Sequence, residues 1–142
     1  MDILLNYLKD FKGKQGLYII RPKKIETLKA ICEKLNYNYT SDIAYIGKAE
    51  ITKTSHLGLR SKQEMGWSNF EGATFVKKIG IYLDLDIKDK KNKELREKTK
   101  LFICSNFNIE CIPLDINENV LLKETEYIHS YKPCLNNMKK LK

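Results

Sequence analysis

A carboxylate stands where the last predicted helix should be apolar. The apolar residues of this segment are Val120, Leu121, Tyr127, Ile128 and Tyr131. With an advance of about 100° per residue, they form one stripe with Glu124 near its middle. A buried carboxylate needs a cationic partner, a metal ion or a proton. Two interpretations stay open: Glu124 pairs with a lysine, or the helix lines a cleft where Glu124 holds a cation. Mg²⁺ suits the cleft, because it takes one or two carboxylates and leaves its other positions to water and phosphate.

Two short predicted strands each carry a tyrosine and a glycine. Residues 16–20 read GLYII and residues 43–47 read IAYIG, so the tyrosines are Tyr18 and Tyr45. Gly47 ends the second strand and allows a close approach of the backbone, and Lys48 follows it directly. The end of this strand is therefore a candidate wall of a binding site.

The chain is basic, and most of its basic residues are lysines. The net charge is +8, from 26 basic and 18 acidic residues, which favours a polyanionic partner. Only Arg21, Arg60 and Arg96 are arginines, and asparagine is abundant, so the lysines also fit a biased genome composition. Charge alone therefore leaves nucleic-acid binding and a merely compositional lysine content equally open.

The surrounding periodicity predicts a small α+β fold. Apolar spacing predicts helices over residues 1–12, 23–39, from Leu57 onward, and over 68–85, 86–107 and 117–131. A Ser or Asn should cap the helix after residue 68, and Asn117 the last one. Residues 108–116 predict a third strand, at a sheet edge or strand end because of Pro113. Three strands with several helices result, with one helix between the first two strands.

Size and composition bound the organisation of the chain. Its 142 residues predict one domain, 1–142. No apolar run approaches the roughly 18 residues of a membrane span, and no signal peptide is recognisable at residue 1. The four cysteines show no zinc spacing. A cytoplasmic or other intracellular protein of bacterial or phage type, with reduced thiols and no membrane partner, is expected.

Together these fragments resemble the GIY-YIG nuclease superfamily. Residues 16–18 (GLY) and 45–47 (YIG) resemble its two signature tripeptides, and residues 57–60 (LGLR) resemble its Leu-x-x-Arg. Residues 124–136 resemble its last block. There Glu124 precedes Asn136 by twelve positions, as in the related nuclease domain at the N-terminus of the nucleotide-excision repair incision subunit. The resemblance implies a small three-stranded mixed or antiparallel sheet flanked by helices, with an extra helix between the first two strands.

The resemblance also implies a reaction and its residues. It implies a divalent-metal-dependent endonuclease that hydrolyses DNA phosphodiester bonds with Mg²⁺ or Mn²⁺. One of Tyr18 and Tyr45, with Tyr18 favoured, would accept a proton from the attacking water. Arg60 would bind the scissile phosphate, Glu124 the metal ion, and Asn136 would brace the site. The expected nucleic-acid contacts are Gly47, Lys48, His129 and Lys132.

Departures from the compact members limit this transfer. Tyr18 and Tyr45 lie 27 positions apart, and the loop from Lys48 to Arg60 is also longer, as in stand-alone and restriction-type members. RNA stays open as a substrate, as do monomer and homodimer. The alternative functions are a non-cleaving DNA-binding module of the same fold within a larger complex and, third, a protein unrelated to nucleic acid.

Overall fold

The computed structural model describes residues 2–67, 73–88 and 93–136. Within these ranges the helices are α1 Asp2–Lys9, α2 Ile25–Leu35, α3 Leu57–Glu64, α4 Thr74–Tyr82, α5 Lys93–Asn106 and α6 Val120–Tyr131. The strands are β1 Gln15–Pro22, β2 Tyr45–Ala49 and β3 Phe107–Leu114. The predicted α+β class is confirmed, and so is the helix between the first two strands, which is α2.

The three strands form one antiparallel sheet in the order β2-β1-β3. In the central strand β1, Leu17, Tyr18, Ile19 and Ile20 are all buried, as expected for a strand covered on both faces. Tyr18 lies opposite Gly47 on β2 and opposite Cys111 on β3. The edge position of β3 accommodates Pro113, which cannot donate to a ladder.

Helices cover both faces of the sheet. Ile19 and Ile46 point to the face covered by α6, where they pack with Tyr127 and Ile128. Tyr18 points to the opposite face, where it shares the main core with residues of α2, α3, α4 and α5. Because side chains alternate along a strand, β1 serves both cores with successive residues.

The boundaries of α6 correct two predictions. The helix begins at Val120 with Asn119 as its cap, whose Oδ1 accepts a hydrogen bond from Leu122 N (3.1 Å). The predicted cap Asn117 is therefore wrong, since it lies two residues before the actual cap Asn119. The predicted apolar stripe is also only partly covered, with Leu121 and Tyr131 about half exposed.

The start of α4 also differs from the prediction. The cap residue of α4 is Ala73, which offers no side-chain acceptor, so the predicted Ser or Asn cap is wrong. The nearest candidates, Ser68 and Asn69, lie outside the described residues. In α1 only Leu8 is buried, and Ile3 is 87% exposed. No helix in the described ranges combines the length and apolar character that a bilayer-spanning segment requires.

Candidate active site

A cleft of about 400 Å³ lies at the edge of the sheet formed by β2. Its lining comprises Tyr18, Tyr45, Gly47, Lys48, Ala49, Glu50, Thr52, Ser55, Arg60 and Glu124. Six of the nine residues predicted from the sequence to act in the site are therefore brought together here. They come from four elements, β1, β2, α3 and α6.

The cleft wraps around the edge strand. Tyr45 and Gly47 point to the face that carries α3, whereas Lys48 points to the face that carries α6. Glu124 reaches the same cleft from α6. A ligand in this cleft would meet the phenols and the guanidinium from one side of the strand and the carboxylate from the other.

Tyr18 lies directly over Gly47. A Cβ atom at Gly47 would come within 2.2 Å of the Tyr18 Cζ, so only glycine leaves room for the ring. The Tyr18 hydroxyl donates a hydrogen bond to Glu64 Oε2 (2.9 Å). Burial and the neighbouring Glu64 carboxylate hold the pKa of Tyr18 well above its ordinary value. The glycine of the second signature thus seats the tyrosine of the first.

Tyr45 lies beside Tyr18, with the ring centroids 6.3 Å apart. Burial, followed by the charge of Glu64, raises the pKa of Tyr45 to about 12, while a hydrogen bond with Thr74 acts in the opposite direction. Both phenols are therefore neutral at ordinary pH in this environment. Either phenol can act as a base only if another group accepts its proton.

Arg60 is positioned by the first turn of α3. His56 caps this helix, and its Nδ1 accepts a hydrogen bond from Leu59 N (3.2 Å). The Arg60 guanidinium donates to Gln63 Oε1 (3.0 Å) and lines the cleft. A planar guanidinium with several donors suits a phosphate group. The helix predicted to start at Leu57 is therefore the element that presents this arginine.

Glu124 is half-buried in the cleft wall. Burial raises the pKa of its carboxyl group, the positive charge of Lys48 lowers it, and Glu50 raises it. Within the described residues Glu124 forms no hydrogen bond and no salt bridge, whereas Lys48 pairs with Glu50 (3.5 Å). The lysine pair considered from the sequence is thus not formed among these residues.

The donor set around Glu124 fits a hard divalent cation. The described residues contain no group of three acidic, histidine or cysteine side chains that would enclose a metal ion. Mg²⁺ does not need one, because a single carboxylate with waters and substrate phosphate oxygens completes its shell. Glu124 would be the protein ligand of such an ion.

Asn136 supports the cleft without lining it. Its Oδ1 accepts a hydrogen bond from Ile46 N (2.8 Å), and its Nδ2 donates to Ile46 O (2.7 Å). These bonds satisfy both backbone groups of Ile46 on the outer side of the edge strand. Asn136 therefore fixes the strand segment between Tyr45 and Gly47, and its role in bracing the site during catalysis stays a prediction.

His129 and Lys132 lie elsewhere. They line a second cavity of about 450 Å³, together with Thr40, Thr125 and Ile128. The backbone carbonyl of Lys132 also accepts a hydrogen bond from Ser41 Oγ (3.0 Å). The structure does not bring these two predicted nucleic-acid contacts into the cleft with Lys48.

Glu64 is the residue that the sequence analysis missed. Its side chain is fully buried, and besides Tyr18 it accepts hydrogen bonds from Phe75 N (2.9 Å) and Val76 N (3.2 Å) through Oε1. It thereby caps α4 in place of the missing Ser or Asn. A signal existed, because Glu64 lies one turn after Arg60 and two turns after Leu57 on the same face of α3.

One of three comparisons with known proteins finds a match. The family model of the GIY-YIG catalytic domain matches residues 16–141, which is most of the chain. The chain belongs to the GIY-YIG family. Neither the comparison with curated proteins nor that with solved structures found a match. GIY-YIG domains are generally nucleases, typically use divalent metals and have DNA as substrate, so a nuclease-type function follows at the level of the family.

Proposed function

We propose that this chain is a divalent-metal-dependent endonuclease that hydrolyses phosphodiester bonds in DNA. The observation that carries the proposal is the convergence of Tyr18, Tyr45, Arg60 and Glu124 on one cleft from four different elements. Hydrolysis of a phosphodiester needs a proton acceptor for the attacking water, stabilisation of the phosphate charge and help for the leaving oxygen. Each requirement has a candidate in the cleft.

The chain's own residues divide these tasks. One of the two tyrosines receives the proton of the attacking water. Arg60 binds non-bridging oxygens of the phosphate, and Lys48 adds positive charge at the other side of β2. Glu124 would hold Mg²⁺ or Mn²⁺, which when bound supplies Lewis-acid stabilisation of the phosphate and the leaving oxygen. Asn136 keeps the strand that carries Tyr45 in place.

Plasmid nicking tests the activity. Wild type should nick supercoiled DNA with Mg²⁺ and not with EDTA, and Glu124→Gln should lower kcat by at least about 100-fold because it removes the only proposed protein ligand of the metal. Glu126→Gln is the matched control, since Glu126 is an exposed residue of the same helix. Glu126→Gln should retain the wild-type rate.

A second pair of variants tests the phosphate contact. Arg60→Lys should lower kcat/KM, because lysine cannot reproduce the bidentate fork of arginine, whereas Arg96→Lys on α5 should not. If wild type is inert on DNA and on RNA of several structures while it still binds DNA, the non-cleaving module is the better description. Cleavage of RNA alone would change the substrate and keep the chemistry.

A further inference from the structure

The proposed hydrolysis needs one more group, an acceptor for the phenolic proton of the tyrosine that acts as the base. A tyrosine that takes a proton from water must already have lost its own proton or must pass it on at the same time. Both phenols of the cleft have raised pKa values, so their anions are scarce near neutral pH. The step therefore requires a group that receives the phenolic proton inside the protein.

Glu64 is placed to receive it. Its Oε2 accepts the hydrogen bond of the Tyr18 hydroxyl at 2.9 Å, in a position with no solvent exposure. The other oxygen, Oε1, is held by the N–H groups of Phe75 and Val76 at the start of α4. Three donors directed at one carboxylate favour its ionised, accepting form, although burial raises its pKa.

Charge conservation distinguishes this route from loss of a proton to solvent. A phenolate beside an ionised Glu64 would place two negative charges 2.9 Å apart in a buried position. Transfer of the Tyr18 proton to Glu64 leaves a single negative charge on the pair, and that charge passes to the attacking oxygen when Tyr18 takes the proton of the water. Among the described residues no comparable acceptor contacts Tyr45, whose hydrogen bond is with the neutral hydroxyl of Thr74.

We propose that Glu64 is the positioning residue through which Tyr18 acts, and that it takes up the Tyr18 proton as Tyr18 takes up the proton of the attacking water. One O–H bond of the water breaks, its proton passes to Tyr18 Oη, and the former Tyr18 proton passes to Oε2 of Glu64. The water oxygen forms a bond to phosphorus, and the bond from phosphorus to the leaving oxygen breaks. The leaving oxygen takes a proton from solvent, and before the next turnover the Glu64 proton returns through Tyr18 Oη to water in the cleft that Tyr18 lines.

The inference rests on the proposed function and assigns the role of the base to Tyr18. The titratable and charged groups around the pair are Arg60 from α3 and Tyr45 from β2, with Cys111 opposite on β3. Arg60 favours the anionic form of both Tyr18 and Glu64. None of these groups replaces Glu64 as an acceptor in contact with the Tyr18 hydroxyl.

Glu64→Gln is the decisive variant, because the amide oxygen can still cap α4 while the proton acceptor is lost. The kcat of nicking should fall by about 100-fold or more with KM for DNA unchanged.

The dependence of kcat on pH should also change. In wild type kcat should be constant between about pH 7 and 9, whereas in Glu64→Gln it should rise about tenfold per pH unit as hydroxide replaces the internal acceptor. A structural role alone would not produce this slope. Glu97→Gln, an exposed site on α5, is the control.

Two further measurements keep the test independent of folding and of nuclease activity. In the Tyr18→Phe background, Glu64→Gln should cause no additional loss of kcat, since Glu64 acts through the phenol. NMR of ring-labelled tyrosine, assigned with Tyr18→Phe, should show that the pKa of Tyr18 is lower in Glu64→Gln than in wild type, because a neighbouring negative charge is gone.

The outcomes separate the two proposals. An active wild type with Glu64→Gln within threefold of its kcat and the same pH profile overturns the relay and leaves the nuclease standing. Loss of activity that is equal in the presence and absence of the Tyr18 hydroxyl also overturns it. An inert wild type overturns the proposed function and the relay as a catalytic step, while the tyrosine pKa then shows whether the two groups are coupled.

Discussion

Gly47→Ala should distort the cleft through one added methyl group. Its Cβ would lie 2.2 Å from the Tyr18 Cζ, 2.3 Å from Oη and 2.5 Å from Cε2, all well inside contact distance. The backbone of Gly47 cannot retreat, since β2 is paired with β1 on one side and Asn136 holds the adjacent Ile46 on the other. The ring of Tyr18 therefore has to move.

The expected magnitude follows from two opposing terms. Overpacking in a well-filled core costs about 1–3 kcal/mol. The reduced freedom of the unfolded chain when alanine replaces glycine returns about 0.4–1 kcal/mol. The net loss lies between about 0 and 2.6 kcal/mol, so the free energy of unfolding should fall by about 1 kcal/mol. The Tyr18 hydroxyl would move by roughly 1 Å from Glu64 Oε2, and a displacement of that size lowers kcat by about 100-fold.

Urea unfolding and a double-mutant cycle measure the effect. Tyr18→Leu removes the two ring carbons and the hydroxyl oxygen nearest the new methyl group, so Gly47→Ala in that background should destabilise by less than about 0.5 kcal/mol. Equal destabilisation in both backgrounds would refute the reasoning, because the contact between the methyl group and the ring would then not be its source.

Three further predictions concern other parts of the site. Asn136→Ala should lower the free energy of unfolding by about 1–3 kcal/mol in urea, because both backbone groups of Ile46 lose a partner; an unchanged midpoint would contradict the bracing role. The raised pKa of Tyr45, about 12 against an ordinary 10, stabilises the fold fully below pH 10 and is lost as the pH rises towards 12; Tyr45→Phe should therefore lose less stability over that interval in thermal scans than wild type. In the Glu124→Gln background, Lys48→Ala should reduce the salt slope of DNA binding, followed by anisotropy, by about 1, and Lys132→Ala by less; the opposite order would place the DNA over the second cavity.

The sequence predicted the elements best where a periodic pattern and a breaker coincide. β1 ends at Pro22 and contains the predicted residues 16–20. α2 shows four buried residues at helical spacing within the predicted range 23–39, but it ends at Leu35, four residues before the predicted end. The caps of α4 and α6 were wrong, because a cap depends on which nearby acceptor reaches the free N–H groups. For α4 that acceptor is Glu64, which lies ten or more positions earlier in the chain.

The sequence predicted most of the residues that line the cleft but not the hydrogen bonds that connect them. Glu124 was recognisable as a carboxylate on an apolar stripe, and its half-buried place in the cleft wall follows that logic. Glu64 does not meet this criterion, because Arg60 and Ser61 share its face of α3. Its partners lie on β1 and α4, and a local sequence pattern does not predict contacts between elements. His129 and Lys132 were grouped with Lys48 because all three flank motif residues, yet the turn of α6 directs them to another cavity.

The two hydrogen bonds between Asn136 and Ile46 affect when the cleft can form during folding. Cys134 N and Leu135 N donate hydrogen bonds to Ile43 O and Ala44 O, so residues 134–136 lie along the start of β2 as a short additional rung. Contacts that bridge some ninety positions form late, because the loop they close is long. During translation the catalytic wall would remain loose until residue 136 had left the ribosome, so a nascent nuclease would be synthesised in an inert form.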